Sequence, residues 1–206
     1  MKTYTENLTM KRLLTTVFAL LTLHASFAAD VLVEAESFAD KGGWAVDQQF
    51  MDLMGSPYLI AHGMGVPVAD ASTTADVPED GRYRVWVRTY NWTSPWHKGE
   101  GPGSFRVGVD GKFKTKKMGC TGDSWQWQDG GVVKLKKGSR RITLHDMTGF
   151  DGRVDAILLT TDLESSPEER FGAGHDWRFA LLGGRQPQAK QFDFVVVGGG
   201  IAGLWG

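Results

Sequence analysis

The chain is poor in the residues that build disulfides, metal centres and nucleic-acid surfaces. Its 206 residues include one cysteine, Cys120, which excludes an internal disulfide and a multi-cysteine metal site. The histidines are not spaced as metal ligands, and a formal net charge of -1 leaves no basic excess for nucleic acid. Nucleophile elbows, paired-histidine zinc helices and phosphate loops are also missing from the sequence. We predict that the lone thiol is a small buried core residue.

The apolar run near the N-terminus is too short to span a membrane. It covers residues 13–23, follows two basic residues and precedes the small residues of HASFAAD. This pattern is typical of a secretory signal peptide, so residues 1–28 are predicted to be a Sec-type signal cleaved after Ala28. The mature protein is then periplasmic or extracellular. Translation starts at either Met1 or Met10, and a packed N-terminal helix is the alternative interpretation.

Glycine and tryptophan are abundant, with 27 and 8 residues, which favours tight turns and aromatic contact surfaces. The segment SFRVGVDGKFKTKKM predicts a hairpin with Asp110-Gly111 in its turn. GGVVKLKKGSRRITLHDM predicts a second hairpin that turns at residues 137–139. Short strands at fairly even spacing predict a mainly β fold, an antiparallel β-sandwich of the jelly-roll type, over residues 29–162.

The composition changes after Asp162. Ser166 is a candidate N-cap, Pro167 fits the first helical position, and two glutamates follow. We predict a connector with a short helix over residues 163–190, with a second helical turn near residues 177–182. Because its apolar side chains require burial, the connector is expected to pack against a neighbour.

Five segments of the sandwich occur in an order found in one group of sugar-binding domains. VLVEAESF, DGRYRVWVRTY, FRVGVDGKF, TGDSWQWQDGGVVKLKKGSRRITL and GRVDAILLTTD together resemble the β-jelly-roll carbohydrate-binding modules of families 6 and 35. The resemblance covers residues 31–162 and rests on the order and spacing of the segments. It implies a noncatalytic sandwich that binds carbohydrate and is often tethered to an enzyme.

The resemblance implies a structural calcium site between the first and last strands. Glu34 and Glu36 are two residues apart, so both carboxylates leave one face of the first strand. Asp155 matches the acidic position of the last strand. Since first and last strands commonly pair in such sandwiches, three oxygens are expected to converge on one hard cation. The alternatives are a solvated acidic face, or neutralisation of Asp155 by Arg153.

The resemblance also implies a sugar site of flat aromatic side chains, which stack on the apolar face of a pyranose ring. Trp125 matches the family's loop tryptophan, and Trp127 lies on the same side two residues later. The Gly/Pro-rich segment YNWTSPWHKGEGPG adds Trp92, Trp96 and His97. Alternatively, some of these tryptophans close the end of the sandwich, and Trp127 belongs to the core.

One segment departs from the resemblance. WAVDQQFMDLMGSPYLIAHGMG is longer than the usual short, polar connection and contains Met51, Met54 and Met64. These methionines form a candidate surface against another domain, which argues against an open glycan cleft.

The last residues, DFVVVGGGIAGLWG, combine a continuous apolar strand with a glycine turn. In a dinucleotide site the first glycine permits the turn, the second admits the pyrophosphate and the third lets a helix pack on the strand. Backbone N–H groups at the helix start bind the phosphates. The predicted cofactor-binding residues are Gly198, Gly199, Gly200, Ile201, Ala202 and Gly203. The segment resembles the first strand and turn of FAD-dependent oxidoreductases with two dinucleotide-binding domains.

The features that complete such a site do not follow in this sequence. A dinucleotide site needs a following helix and an acidic residue about 20 positions later, and Trp205 stands where a small or polar residue is usual. We therefore expect residues 191–206 to be the first strand and turn of a truncated Rossmann-like domain. The chain itself is then noncatalytic and binds FAD negligibly. NAD in place of FAD, or a simple Gly-rich tail, are the alternatives.

The leading hypothesis is the front end of an exported FAD-dependent oxidoreductase. Its sandwich would either bind carbohydrate or serve as a structural companion to the flavin domain that follows. The alternative is a stand-alone, noncatalytic carbohydrate-binding protein with an incidental glycine-rich tail.

Overall fold

Ten strands form two antiparallel sheets in the computed structural model, which describes residues 28–172 and 177–181. The six-stranded sheet contains β1 (Asp30–Glu34), β2 (Ala45–Asp47), β3 (Tyr58–His62), β5 (Gly81–Thr89), β8 (Gln126–Leu135) and β10 (Phe150–Thr160). The four-stranded sheet contains β4 (Ala71–Val77), β6 (Phe105–Val109), β7 (Phe113–Lys114) and β9 (Gly138–Asp146). The predicted mainly β, antiparallel sandwich is confirmed.

Strand β10 organises the larger sheet. One edge of β10 pairs with β5, and the other edge pairs with β3 along its first half and with β1 along its second half. Glu34 is the last residue of β1 and lies opposite Ala156. The first and last strands of the sandwich therefore pair, as expected, and this places Glu34 close to Asp155.

The core lies between the two sheets and follows the two-residue alternation of the strands. On β5, Val85 and Val87 belong to this core, whereas Trp86 between them belongs to a second cluster on the opposite side of the sheet. We call that side the outer face; its residues are Leu32, Trp86, Trp127, Ala156 and Leu158. Cys120 is buried, which confirms its predicted environment.

The two predicted hairpins have different outcomes. Strands β6 and β7 pair, and the turn between them places Asp110 and Gly111 at positive φ angles of 51° and 66°. The hairpin predicted around residues 137–139 is wrong: β8 pairs with β5 in one sheet, and β9 pairs with β4 and β6 in the other. The turn instead carries the chain from one sheet to the other, because alternation identifies strands without revealing their partners.

A short helix, α1 (Met51–Met54), interrupts the strand pattern in the methionine-containing segment. Met54 is fully buried, whereas Met51 and Met64 are exposed. The three methionines therefore do not form one surface.

The connector contains two short helices, α2 (Pro167–Phe171) and α3 (Trp177–Leu181), close to the predicted positions. Ser166 caps α2 as predicted: its hydroxyl accepts a bond from the Glu169 N–H at 3.2 Å, and the Glu169 carboxylate accepts one from the Ser166 N–H at 2.7 Å. Arg170 ties α2 to the sandwich through two bonds to the carboxylate of Asp30, at 2.9 and 2.5 Å.

Two predicted segments fall outside the described residues. They are the signal peptide, apart from its last residue, and the cofactor-binding turn within residues 191–206. Within the described ranges, no helix is long and apolar enough to cross a membrane.

Candidate functional site

Two loops line an open cavity of about 550 Å³ at the end of the sandwich where β5 finishes and β8 begins. The loops comprise residues 90–104 and 119–125, and we call this region the loop end. Most residues that line the cavity carry polar or charged side chains, and they include Asn91, Ser94, His97, Glu100, Thr121 and Asp123. Such a cavity has the size of a small-molecule site and offers both hydrogen-bond donors and acceptors.

Hydrogen bonds between partly buried groups join the two loops. The side-chain amide of Asn91, which is 1% exposed, donates to the carbonyls of Gly99 at 3.5 Å and Gly122 at 3.4 Å. The Gly101 N–H donates to the Cys120 carbonyl at 2.7 Å. A side chain on Gly101 would place its Cβ 1.9 Å from the Asn91 Oδ1, so only glycine allows this approach. The cavity walls are thus fixed before any ligand binds.

Trp92 and Trp96 form a pair on the longer loop, with ring centroids 6.3 Å apart. The Trp92 Nε1 donates to the Phe150 carbonyl at 2.9 Å, and the Arg153 guanidinium lies 5.5 Å from the Trp92 ring. These contacts fix Trp92 in the framework. Trp96 is 79% exposed, beside the cavity residue His97. Of the predicted sugar-binding residues, His97 therefore lines the cavity, and Trp96 is exposed next to it in the same loop.

Trp125 lies at the same end of the sandwich, but in a cluster of aromatic side chains. Its ring centroid is 5.0 Å from that of Tyr58, 5.6 Å from Tyr90 and 6.0 Å from Phe50. The indole Nε1 is buried and has no hydrogen-bond partner in the described part of the chain. Trp125 is half-buried and largely fills space between α1 and the end of β5.

Trp127 is separated from the loop end. It is 8% exposed on the outer face, where the ring of Trp177 from α3 packs against it at 4.9 Å with an interplanar angle of 76°. Helix α3 therefore covers Trp127, which the sequence analysis predicted to bind sugar.

The cavity also contains residues that the sequence analysis did not select. Asn91, Thr121 and Asp123 become neighbours only because β5 and β8 pair with Thr89 opposite Gln126. Their one sequence signal is that they lie in turn-like segments next to glycine or tryptophan, which is too common to identify a site.

The three predicted metal ligands lie near one another, but two arginines bind two of them. Arg178 of α3 contacts both oxygens of Glu34, at 2.9 and 3.2 Å, and one oxygen of Asp155 at 2.5 Å. The Arg88 guanidinium contacts the other Asp155 oxygen at 2.9 Å. Glu36 lies in a 3-10 turn beyond the end of β1, so the prediction that it shares the strand with Glu34 is wrong.

These side chains do not fit a calcium ion. Guanidinium groups already contact the oxygens of Glu34 and Asp155, so their positive charges lie where a cation would have to bind. The described ranges contain no group of three or more His, Cys, Asp or Glu side chains that could hold a metal ion. Burial raises the pKa of Glu36 to about 7, and its buried Oε2 atom has no hydrogen-bond partner among the residues that the structure describes. Arg153, the expected partner of Asp155, instead lies over Trp92.

Comparisons with known proteins bear on the fold. No protein-family model and no curated protein matches this sequence. Among solved structures, a GH26-CBM35 β-(1,4)-mannanase from Podospora anserina is similar, with 20% identity, a TM-score of 0.51 and coverage of 68% of this chain. The matched region spans 29% of the mannanase. At this identity the match shows the fold, and it supports the β-sandwich.

Two isolated sugar-binding modules are also similar. A family 35 carbohydrate-binding module from Clostridium thermocellum has 20% identity and a TM-score of 0.47, over 63% of this chain and 96% of the module. The C-terminal CBM6 of LamC, a laminarinase from Zobellia galactanivorans, has 16% identity and a TM-score of 0.47, over 64% and 98%.

Proposed function

We propose that the sandwich binds carbohydrate in the cavity at the loop end. The observation that carries the proposal is an exposed Trp96 ring on the same loop as His97, which lines a cavity of about 550 Å³. A flat aromatic side chain stacks on the apolar face of a sugar ring, while nearby polar groups bind the hydroxyls. The fold, shared with structures that contain carbohydrate-binding modules, agrees with this use of the loops.

The charges of the cavity favour an uncharged sugar. His97 and Lys98 are on one loop with Glu100, and Asp123 is on the other, so neither sign dominates. Carboxylates accept bonds from hydroxyl groups, and the lysine ammonium donates to them. Because Asn91 already fixes the loops, little conformational entropy is lost when a sugar binds.

A glycan array probed with the full chain tests the proposal. We expect binding to at least one glycan class, and we expect Trp96→Ala to weaken it about tenfold, since aromatic contacts contribute roughly 0.5–1.5 kcal/mol beyond burial. The matched control is Val132→Ala, an exposed apolar residue on β8, which should bind like the wild type. Absence of binding to every glycan, or equal binding by Trp96→Ala, contradicts the proposal.

A second proposal concerns residues 193–206, which lie outside the described ranges. We infer that the strand-and-glycine pattern with Gly198, Gly200 and Gly203 is the start of an FAD site, in an exported oxidoreductase that carries the sandwich as its sugar-binding or structural companion. The test is visible flavin absorbance in the protein purified from its natural host. Bound FAD supports the inference, and a colourless protein contradicts it.

A further inference from the structure

A buried arginine of the connector lies between the carboxylates of the first and last strands. Arg178 is 7% exposed, and its Nε and Nη2 atoms bind the two oxygens of Glu34 at 2.9 and 3.2 Å. The same Nη2 atom binds an oxygen of Asp155 at 2.5 Å, and Nη1 donates to the carbonyl of Met54. All three guanidinium nitrogens therefore have acceptors on the sandwich.

Each of the four carboxylate oxygens of Glu34 and Asp155 accepts a hydrogen bond from an arginine. Asp155 is completely buried, and its second oxygen accepts a bond from Arg88 at 2.9 Å. A buried charge is tolerated when it is paired and hydrogen-bonded, and two arginines meet that requirement for the two acids. A divalent ion at this position would lie against two guanidinium groups of its own sign.

We propose that the Arg178 guanidinium takes the place of the calcium ion that the sequence resemblance implies, and that it fastens the connector to the sandwich. A guanidinium supplies planar, forked donors that match carboxylate oxygens, so it neutralises this pair without a metal. A calcium ion would link only the carboxylates of Glu34 and Asp155 to each other. Arg178 joins Glu34 to a helix 144 residues later in the chain.

The residue beside Arg178 adds an apolar contact to the same attachment. Trp177 is 1% exposed and packs on Trp127 of the outer face, and the Arg178 guanidinium lies 4.2 Å from the Trp177 ring. The Arg88 guanidinium lies 5.8 Å from that ring. Two adjacent residues of helix α3 thus make different contacts. Trp177 packs on the outer face, and Arg178 binds the carboxylates of Glu34 and Asp155.

The test is thermal unfolding of the full chain with Ca²⁺ and with a chelator, and it does not depend on sugar binding. The wild type is expected to melt at the same temperature in both conditions. Arg178→Ala is expected to melt roughly 10 °C lower without metal, because the buried Asp155 and the partly buried Glu34 lose their shared cation. Ca²⁺ should then restore part of the loss, since the freed oxygens suit a hard cation.

Two further variants separate the role of the charge from a general loss of an arginine. Arg178→Lys keeps the positive charge without the fork, so we expect intermediate stability and no response to Ca²⁺. Arg140→Ala removes an arginine from the more exposed pair with Asp110 and should show a small change and no response. If Arg178→Ala folds only when Ca²⁺ is present, the proposal is supported.

Two results overturn the proposal. One is a wild-type melting temperature that rises with Ca²⁺ or falls with the chelator, since the metal would then bind despite Arg178. The other is an Arg178→Ala variant that folds but does not respond to Ca²⁺.

Discussion

Replacing Asp155 by alanine is expected to destabilise the protein by about 3–5 kcal/mol. Asp155 is fully buried between Arg88 and Arg178, with one oxygen bound to each guanidinium. The substitution leaves two positive groups close together without the carboxylate that neutralises them, and a buried charge without its partner is unfavourable. Chemical denaturation of the full chain, followed by tryptophan fluorescence, measures the loss.

The control for Asp155→Ala is Lys136→Ala, which removes one partner of an exposed pair. The Lys136 ammonium lies 2.7 Å from the Asp80 carboxylate, and both side chains are more than half exposed. Exposed pairs contribute about 0–1 kcal/mol. If Asp155→Ala destabilises the protein no more than Lys136→Ala does, the buried ion-pair cluster is not the attachment that we describe.

Replacing Trp177 by alanine is expected to cost about 3–5 kcal/mol, which is typical when a buried tryptophan is truncated. Trp177 is 1% exposed, and its loss removes the contact with Trp127 and opens a cavity on the outer face. The change also weakens the hold on α3, so the connector should become sensitive to limited proteolysis. Denaturant unfolding gives the free energy, and mass spectrometry of the protease fragments locates the cleavage.

Trp96→Ala is the matched control for Trp177→Ala, because it removes the same side chain from an exposed position. Trp96 is 79% exposed, so its truncation should change stability by no more than about 0.5 kcal/mol. A Trp177→Ala protein that is as stable and as protease-resistant as the wild type contradicts the docking of α3.

Much of the sandwich could be predicted because its signals are local. The Asp110-Gly111 pair identified the turn after β6, since few residues adopt positive φ. The partner of each strand is not a local property. That is why the turn at residues 137–139 was predicted as a hairpin, although it joins strands of different sheets.

For the candidate sites, too, local features could be predicted from the sequence and long-range contacts could not. Trp96 and His97 stand out because aromatic and polar residues in a Gly/Pro-rich loop are typical of binding sites. The expected pairing of the first and last strands predicted that Glu34 and Asp155 would meet, and the pairing of β1 with β10 brings them together. The group between them could not be predicted, because Arg178 belongs to a distant helix and no local pattern reveals a long-range ion pair.

Hydrogen exchange of the full chain, with and without a glycan selected on the array, tests the central claim most directly. The claim is that the loop end, rather than the outer face, binds carbohydrate. We predict that bound glycan slows exchange in the two loops around Asn91 and Asp123 and leaves β1 and β10 unchanged. Protection confined to the strands of the outer face, or no protection anywhere under saturating glycan, would contradict the account.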